Sequence, residues 1–316
     1  MPCRSQCRRL ITLPARNHRA KTWFLEIFAL AASCAGPLLA QSTALAGIAH
    51  VAFRVKDVRR TRTFYRTLGF EEAFEFSDPG KPAVSYVKVN DHQFIELYGP
   101  VPDAPLSGLL HVCYEATDIE AVWDGLLARG LNPPRSRKAR AGNLLFVIHD
   151  PEGQLIEFTQ YLPGSLHFED RGRHVGNQRL SRHLVRVALA VQDLQSERTF
   201  YTQKLGFEDA GSQSPIRLNI PGKSNEEIEL QPSTPETKPR VVFETPSLKR
   251  CADNLRSRGF AVATEDDSVS VTDPDGSAVV FVENRHTTHA QHFGSQLPDQ
   301  SGRWPRAPEA LRCSHR

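Results

Sequence analysis

Residues 47–99 read GIAHVAFRVKDVRRTRTFYRTLGFEEAFEFSDPGKPAVSYVKVNDHQFIELYG, and this stretch decides the fold. Residues 48–55 (IAHVAFRV) alternate, which puts His50, Ala52 and Arg54 on one face of a strand and Val51, Phe53 and Val55 on the other. Asp57 is a good N-cap, and Val58, Thr61, Phe64, Tyr65 and Leu68 follow at helical spacing until Gly69 supplies the stop. Three strands are expected next, over 71–76, 83–90 and, after an Asn-Asp turn, 93–98. The unit is therefore β-α-β-β-β. In its last strand Glu96 shares a face with Phe94 and Tyr98, and a carboxylate at such a position is costly unless it is paired or holds a cation.

The chain then repeats this unit. LLHVCYEA at 109–116 leads to a helix capped at Thr117 or Asp118 and stopped by Gly130, then to a strand over 144–149, a DPEG turn and QLIEFTQY. His111 lies in the first strand of the second unit and Glu157 in its last. Two imidazoles and two carboxylates at matched positions would, on converging, satisfy a divalent metal with nitrogen and oxygen ligands. A third and fourth unit follow. LVRVALAVQDLQSERTFYTQKLGFEDA at 184–210 repeats 48–73 with one added residue before Leu205, and DPDGSAVVF repeats DPEGQLIEF.

His50, Glu96, His111 and Glu157, with the phrases TFYRTLGFE and DPEGQLIEF, resemble the vicinal oxygen chelate superfamily, also called the glyoxalase, bleomycin-resistance and dioxygenase superfamily. The resemblance covers roughly residues 47–283. It implies an α+β fold in which four βαβββ modules pair into two open, cup-shaped β-barrel domains, with a metal at the centre of the first. The domains are expected at 47–162 and 183–284, joined by a polar linker over 163–182. In the second, Arg186, Glu229, Arg240 and Val280 stand where His50, Glu96, His111 and Glu157 stand in the first. Guanidinium offers no lone pair to a metal, so this copy is expected to be a degenerate, structural partner. An anionic ligand held between Arg186 and Arg240 is the other reading.

The resemblance to glyoxalase I implies a lyase or isomerase of a small substrate with vicinal oxygens, working through an enediolate. Nickel, zinc, manganese or iron would suit the site. It makes Glu157 the base and Arg54 the residue that binds the anionic end of a substrate. The asparagine that follows the first glutamate in many bacterial glyoxalases is missing after Glu96, where the chain reads LYGPVP. Two further readings stay open. An extradiol-type dioxygenase would use His50, His111 and Glu157 around iron, and a non-catalytic binding protein would need no metal.

Charge separates the chain into parts. The formal net charge is +3, but residues 1–40 hold six basic residues and one acidic one, which leaves 33 basic and 35 acidic residues in the remainder, a net of −2. No nucleic-acid surface is expected from that balance. Basic residues up to Lys21 ahead of a mostly apolar run over 23–40 resemble an export signal, so a periplasmic or extracellular protein is expected. AASC makes Cys34 an alternative lipid anchor, and no membrane span is expected in the mature chain. Cys113, Cys251 and Cys313 show no CxxC spacing. Residues 285–316 are polar, include four histidines and are expected to form a disordered tail. Monomer and homodimer are both compatible with this organisation.

Overall fold

The computed structural model describes residues 44–222 and 225–284. The expected export segment 1–40 with Cys34, and the expected tail 285–316, lie outside the described residues. The first half runs β1 (Leu45–Arg54), α1 (Val58–Thr67), β2 (Glu71–Phe76), β3 (Val84–Lys88), β4 (Phe94–Tyr98), β5 (Gly108–Ala116), α2 (Ile119–Ala128), β6 (Arg137–Lys138), β7 (Leu144–His149) and β8 (Leu155–Gln160). A short helix, α3 (Leu166–Glu169), lies in the linker. The second half runs β9 (Leu184–Val191), α4 (Leu194–Thr199), β10 (Glu208–Asp209), β11 (Ile216–Asn219), β12 (Glu227–Pro232), β13 (Arg240–Thr245), α5 (Leu248–Ser257), β14 (Ala263–Glu265), β15 (Ser268–Thr272) and β16 (Ala278–Glu283).

Each half is one open eight-stranded sheet, and the two share a topology: β2-β3-β4-β1-β5-β8-β7-β6 and β10-β11-β12-β9-β13-β16-β15-β14. Modules thus pair in chain order, first with second and third with fourth. In the first sheet the antiparallel β1–β5 pair is the seam between modules, flanked by the parallel pairs β1–β4 and β5–β8. β1 is buried along nearly its whole length, because one of its faces meets the core and the other meets the cup.

Local chemistry explains the element ends. The Asp57 carboxylate accepts the Arg60 N–H at 3.0 Å, and Asp118 accepts the N–H groups of Glu120 and Ala121 at 3.1 Å. Helix α4 continues as a π-helical turn over Phe200–Leu205, closed by left-handed Gly206. That turn absorbs the one residue by which the third module exceeds the first.

The convex sides of both sheets and the helices share one hydrophobic core, with Phe70 against Phe243 and Tyr114 against Phe207, each at 5.2 Å between ring centroids. Polar contacts between the halves repeat by pseudo-symmetry, with one inequality. On one side Asp275 accepts the Lys56 N–H at 3.1 Å and the Thr61 hydroxyl at 3.0 Å. On the other, Glu152 accepts the N–H groups of Gln192 and Asp193 at 2.7 Å, while its own N–H is donated to Glu197 at 3.1 Å. Glu197 takes the place of Thr61, so two acids meet where a hydroxyl and an acid meet opposite. Among the described residues no helix is long and apolar enough to cross a membrane.

Burial first, then the charge of Asp150, pushes the Glu197 carboxyl up to about 7. A carboxyl raised on folding adds stability that is complete below its unfolded value and is lost as pH rises through the folded one. Thermal unfolding should therefore show Tm falling between pH 5 and 8. Glu197→Gln should flatten that dependence and raise Tm at pH 8 by about 3 °C.

Candidate metal centre

The seam of the first sheet brings the four predicted residues onto one concave face. His111 pairs with Ala52, two residues beyond His50, and Glu96 pairs with the same Ala52 from the other side. Glu157 lies opposite Cys113 on β5, and Cys113 opposite His50 on β1. The register alone assembles the site from β1, β4, β5 and β8.

Three of the four side chains face one another closely. The Nε2 atoms of His50 and His111 are 3.0 Å apart, and the Glu157 carboxylate lies 3.7 Å from His50 Nε2 and 4.0 Å from His111 Nε2. Glu96 approaches from the other edge of the His50 ring, with Oε1 3.3 Å from Nδ1, and its second oxygen accepts the Tyr98 hydroxyl at 2.9 Å. Among the described residues, ligand-capable atoms gather within 4.8 Å of one another in two triplets, His50–Glu96–His111 and His50–Cys113–Glu157. His50 belongs to both.

The protonation states suit a cation. Burial, then the neighbouring His111 and His167, holds His50 well below the ordinary histidine value, and burial lowers His111 to about 4. Both imidazoles are neutral near pH 7, with a lone pair to offer. Burial, then the charge of Glu157, raises Glu96 well above the usual carboxylate range, and burial raises Glu157 to about 7. Without a cation the two carboxyls of this quartet hold protons while the imidazoles stay neutral; a divalent ion would displace those protons and leave both carboxylates charged.

A fit test supports this. Two donors held at about 2.1 Å from one ion and at right angles stand about 3.0 Å apart, which is the His50–His111 spacing. His50 Nδ1 faces the other way, 3.3 Å from Glu96 Oε1, and an N–H on that nitrogen leaves the Nε2 lone pair free for an ion.

Arg54, the predicted substrate-binding residue, sits at the end of β1 opposite Tyr98 and Gly108, and its Nε is buried without a partner. The sequence left out one contact: the Cys113 thiol donates to Glu157 at 3.4 Å. Burial and then the Glu157 charge keep Cys113 a thiol. Tyr98 as a donor to Glu96 was equally missed, although the alternation put both on one face. His167, from the linker, gave no sequence signal at all.

The second cup holds a different cluster at the same register. Glu229 pairs with Ala188, Arg186 lies two residues before Ala188, and Arg240 pairs with Ala188 from the seam side. Glu229, 1% exposed, is surrounded by Arg186 at 3.2 Å, Arg217 at 3.4 Å and a direct contact from Arg240. Arg186 also donates to Glu227 at 2.8 Å. Both Arg186 and Arg240 are thus engaged by acids of their own sheet.

Residues 47–158 match the family described as the Glyoxalase/Bleomycin resistance protein/Dioxygenase superfamily. In structure the chain is similar to an Mn(II)-bound glyoxalase from Novosphingobium aromaticivorans, with a TM-score of 0.59 and 17% identity over 76% of this chain and 83% of that one. It is also similar to the 2,3-dioxygenase LapB from Pseudomonas sp. KL28, with a TM-score of 0.58 and 18% identity over 77% and 93% of the two chains. An extradiol ring-cleaving dioxygenase from B. fuscum gives 0.56 and 16% over 78% and 74%. At these identities the likeness is one of fold. No curated protein matches the chain in sequence.

Alanine at His50 or His111 should weaken divalent-metal binding by about 100-fold or more without unfolding the chain, as read by metal analysis and circular dichroism. In the intact first cup, metal affinity should fall about tenfold to a hundredfold for each pH unit below 7, because the ion must displace protons from Glu157 and Glu96. In the second cup, Glu229→Ala should cost about 2–4 kcal/mol, less than a fully buried pair because Arg217 and Arg240 reach solvent. Calorimetry should show that loss as a lower Tm with metal content unchanged.

Proposed function

We propose, on the premise that residues 47–158 are a domain of the Glyoxalase/Bleomycin resistance protein/Dioxygenase superfamily, that the first cup is a divalent-metal centre. There it would catalyse proton transfer on a small substrate with two adjacent oxygens, as a lyase or isomerase of glyoxalase type. The observation that carries this reading is the set itself: two buried imidazoles with two buried carboxylates, Glu96 and Glu157, gathered on one concave face, one acid beyond a two-histidine, one-carboxylate set and so one that can take and return a proton.

His50, His111, Glu157 and Glu96 would hold the ion, which supplies Lewis-acid polarisation of the two substrate oxygens. Glu157 would take the proton from the carbon that bears the hydroxyl and return it to the former carbonyl carbon, while the hydroxyl proton passes to the former carbonyl oxygen, so one C–H and one O–H bond break, one of each forms and no oxidant is consumed. Cys113, a thiol donor to the Glu157 carboxylate, orients the base between those steps. Tyr98 fixes Glu96 by donating to Oε2, and Arg54, with its buried unpartnered Nε, is the group that would bind an anionic end of the substrate. The proposed export of the chain would take it away from cytosolic glutathione, so a substrate other than a glutathione adduct is favoured.

One observation favours a second reading. The closest convergence is that of His50, His111 and Glu157, with Glu96 on the Nδ1 side of His50, and two histidines with one carboxylate suit an iron-dependent dioxygenase. Oxygen dependence separates the two. Metal-loaded protein screened in an anaerobic chamber against 2-oxoaldehydes, their thiol adducts and hydroxy-ketones should turn over and place solvent deuterium in the product. Glu157→Gln should lower kcat per bound metal by about 10²–10⁴. Turnover of catechols only, with iron and only in air, would establish the dioxygenase instead.

A further inference from the structure

The linker carries a side chain into the first cup. Helix α3, capped by Ser165, is held to the sheet by the Leu166 N–H donated to Ala141 at 2.8 Å. It delivers His167 to a position where only 2% of the residue is exposed. The imidazole stacks on Tyr161 at 4.5 Å and 17°, and Phe94, Phe74 and Tyr86 surround it edge-on at 4.9, 5.0 and 5.4 Å. This cage adjoins the metal centre, since Phe94 pairs with His50 and Tyr86 with Glu96.

The strap that brings His167 is anchored firmly. Lys88, fully buried, donates from Nζ to the Asp170 carbonyl at 2.5 Å and carboxylate at 2.8 Å, and lies 2.9 Å from Asp91. Farther along, Gly176 passes so close to the Gly69 carbonyl oxygen that no Cβ would fit there. Yet neither nitrogen of His167 has a hydrogen-bond partner. An unsatisfied buried polar atom is unfavourable, so what holds the ring in place is its flat shape and stacking, not its polarity.

We propose that His167 is the specificity-determining residue of the first cup: its imidazole occupies the seat that a planar aromatic ring would otherwise take. A ligand then reaches the metal centre only from the side of His111 and Glu157, each 9% exposed, and not past His50 and Glu96, at 2% and 3%. The substrate class that fits is compact and non-aromatic, a few carbons bearing two adjacent oxygens. This deepens the proton-transfer reading and rests on it for the substrate, but the seat itself is testable without any turnover.

The test uses full-length, metal-free protein and two flat probes, imidazole and catechol, in calorimetric titration. His167→Gly should bind one imidazole per chain and bind catechol about tenfold or more tighter than the unaltered protein, as an emptied apolar seat takes up a ring of matching size. His167→Phe, purified without metal removal, should keep the Tm and metal content of the unaltered protein, because a ring without nitrogens fills the same space. A folded His167→Gly protein that binds neither probe better than the unaltered chain would overturn the proposal. So would loss of metal or a large fall in Tm in His167→Phe, which would mean that the nitrogens, not the ring, are what the site uses. Should His167→Gly fail to fold, the His167→Phe measurements decide alone. Absence of isomerase activity in all forms would count against the proton-transfer reading and leave the seat to the probe titrations.

Discussion

The pairing of β1 with β5 is the interaction on which the rest of the structure depends. Two copies of one strand, run antiparallel, place the same residue of each copy across a local twofold axis, so any side chain near that axis meets its own duplicate. In the first half the duplicated residue is histidine, and the result is two Nε2 atoms at 3.0 Å. Such a contact serves as an N–H···N hydrogen bond when one neutral ring donates to the other, and the same spacing suits a pair of lone pairs aimed at one ion. The seam converts a duplication of sequence into a convergent pair of imidazoles.

The second half solves the same problem with other chemistry. Both sheets place a carboxylate opposite the alanine of the seam strand, Glu96 opposite Ala52 and Glu229 opposite Ala188. A charge so buried needs a partner. In the second cup three guanidinium groups supply it from within the chain; in the first the neighbours are neutral imidazoles and another acid, so burial raises both carboxyls instead. The contrast separates the two copies in their electrostatics: one has internalised its countercharge, and the other has no countercharge from the chain, which is what the proposed cation site requires. The inequality between Thr61–Asp275 and Glu197–Glu152 shows the same drift at the interface, where one copy of a contact has kept a hydroxyl donor and the other has not.

Most of the fold was legible because it rests on short-range rules. Alternation located β1, β4, β5 and β8, and Asp57 and Asp118 marked the helix starts they in fact cap. β1 begins at Leu45, three residues ahead of the alternating run, because pairing with Ala116 extends it where the side-chain pattern has already ended. β6, only Arg137–Lys138, escaped since both residues are exposed and the pairing with β7 is through the backbone. The extra residue of the third module was visible as a length difference, but its absorption in a π-helical turn was not, because helix packing decides between a bulge and a loop. His167 was illegible for a stronger reason. Its neighbours in sequence are polar linker residues, and what buries it, the rings of Phe74, Tyr86, Phe94 and Tyr161, comes from strands well before it and from the end of the first sheet.

That burial also bears on how the two readings of the site compare. A ring-cleaving enzyme must seat an aromatic ring flat beside its metal, and the aromatic walls suited to that are here filled by the chain itself. The strap is not loosely laid over the cup, since a lysine with no exposed surface donates to Asp170 and would keep only Asp91 if the strap lifted. Opening the cage therefore means uncovering Lys88 and breaking one of its two ion pairs, a larger change than the rotation of one side chain. A small substrate avoids that cost by approaching on the side of His111 and Glu157, where the candidate base already lies. The filled cage thus weighs against ring cleavage, and proton transfer on a compact substrate is the proposed reading that fits it.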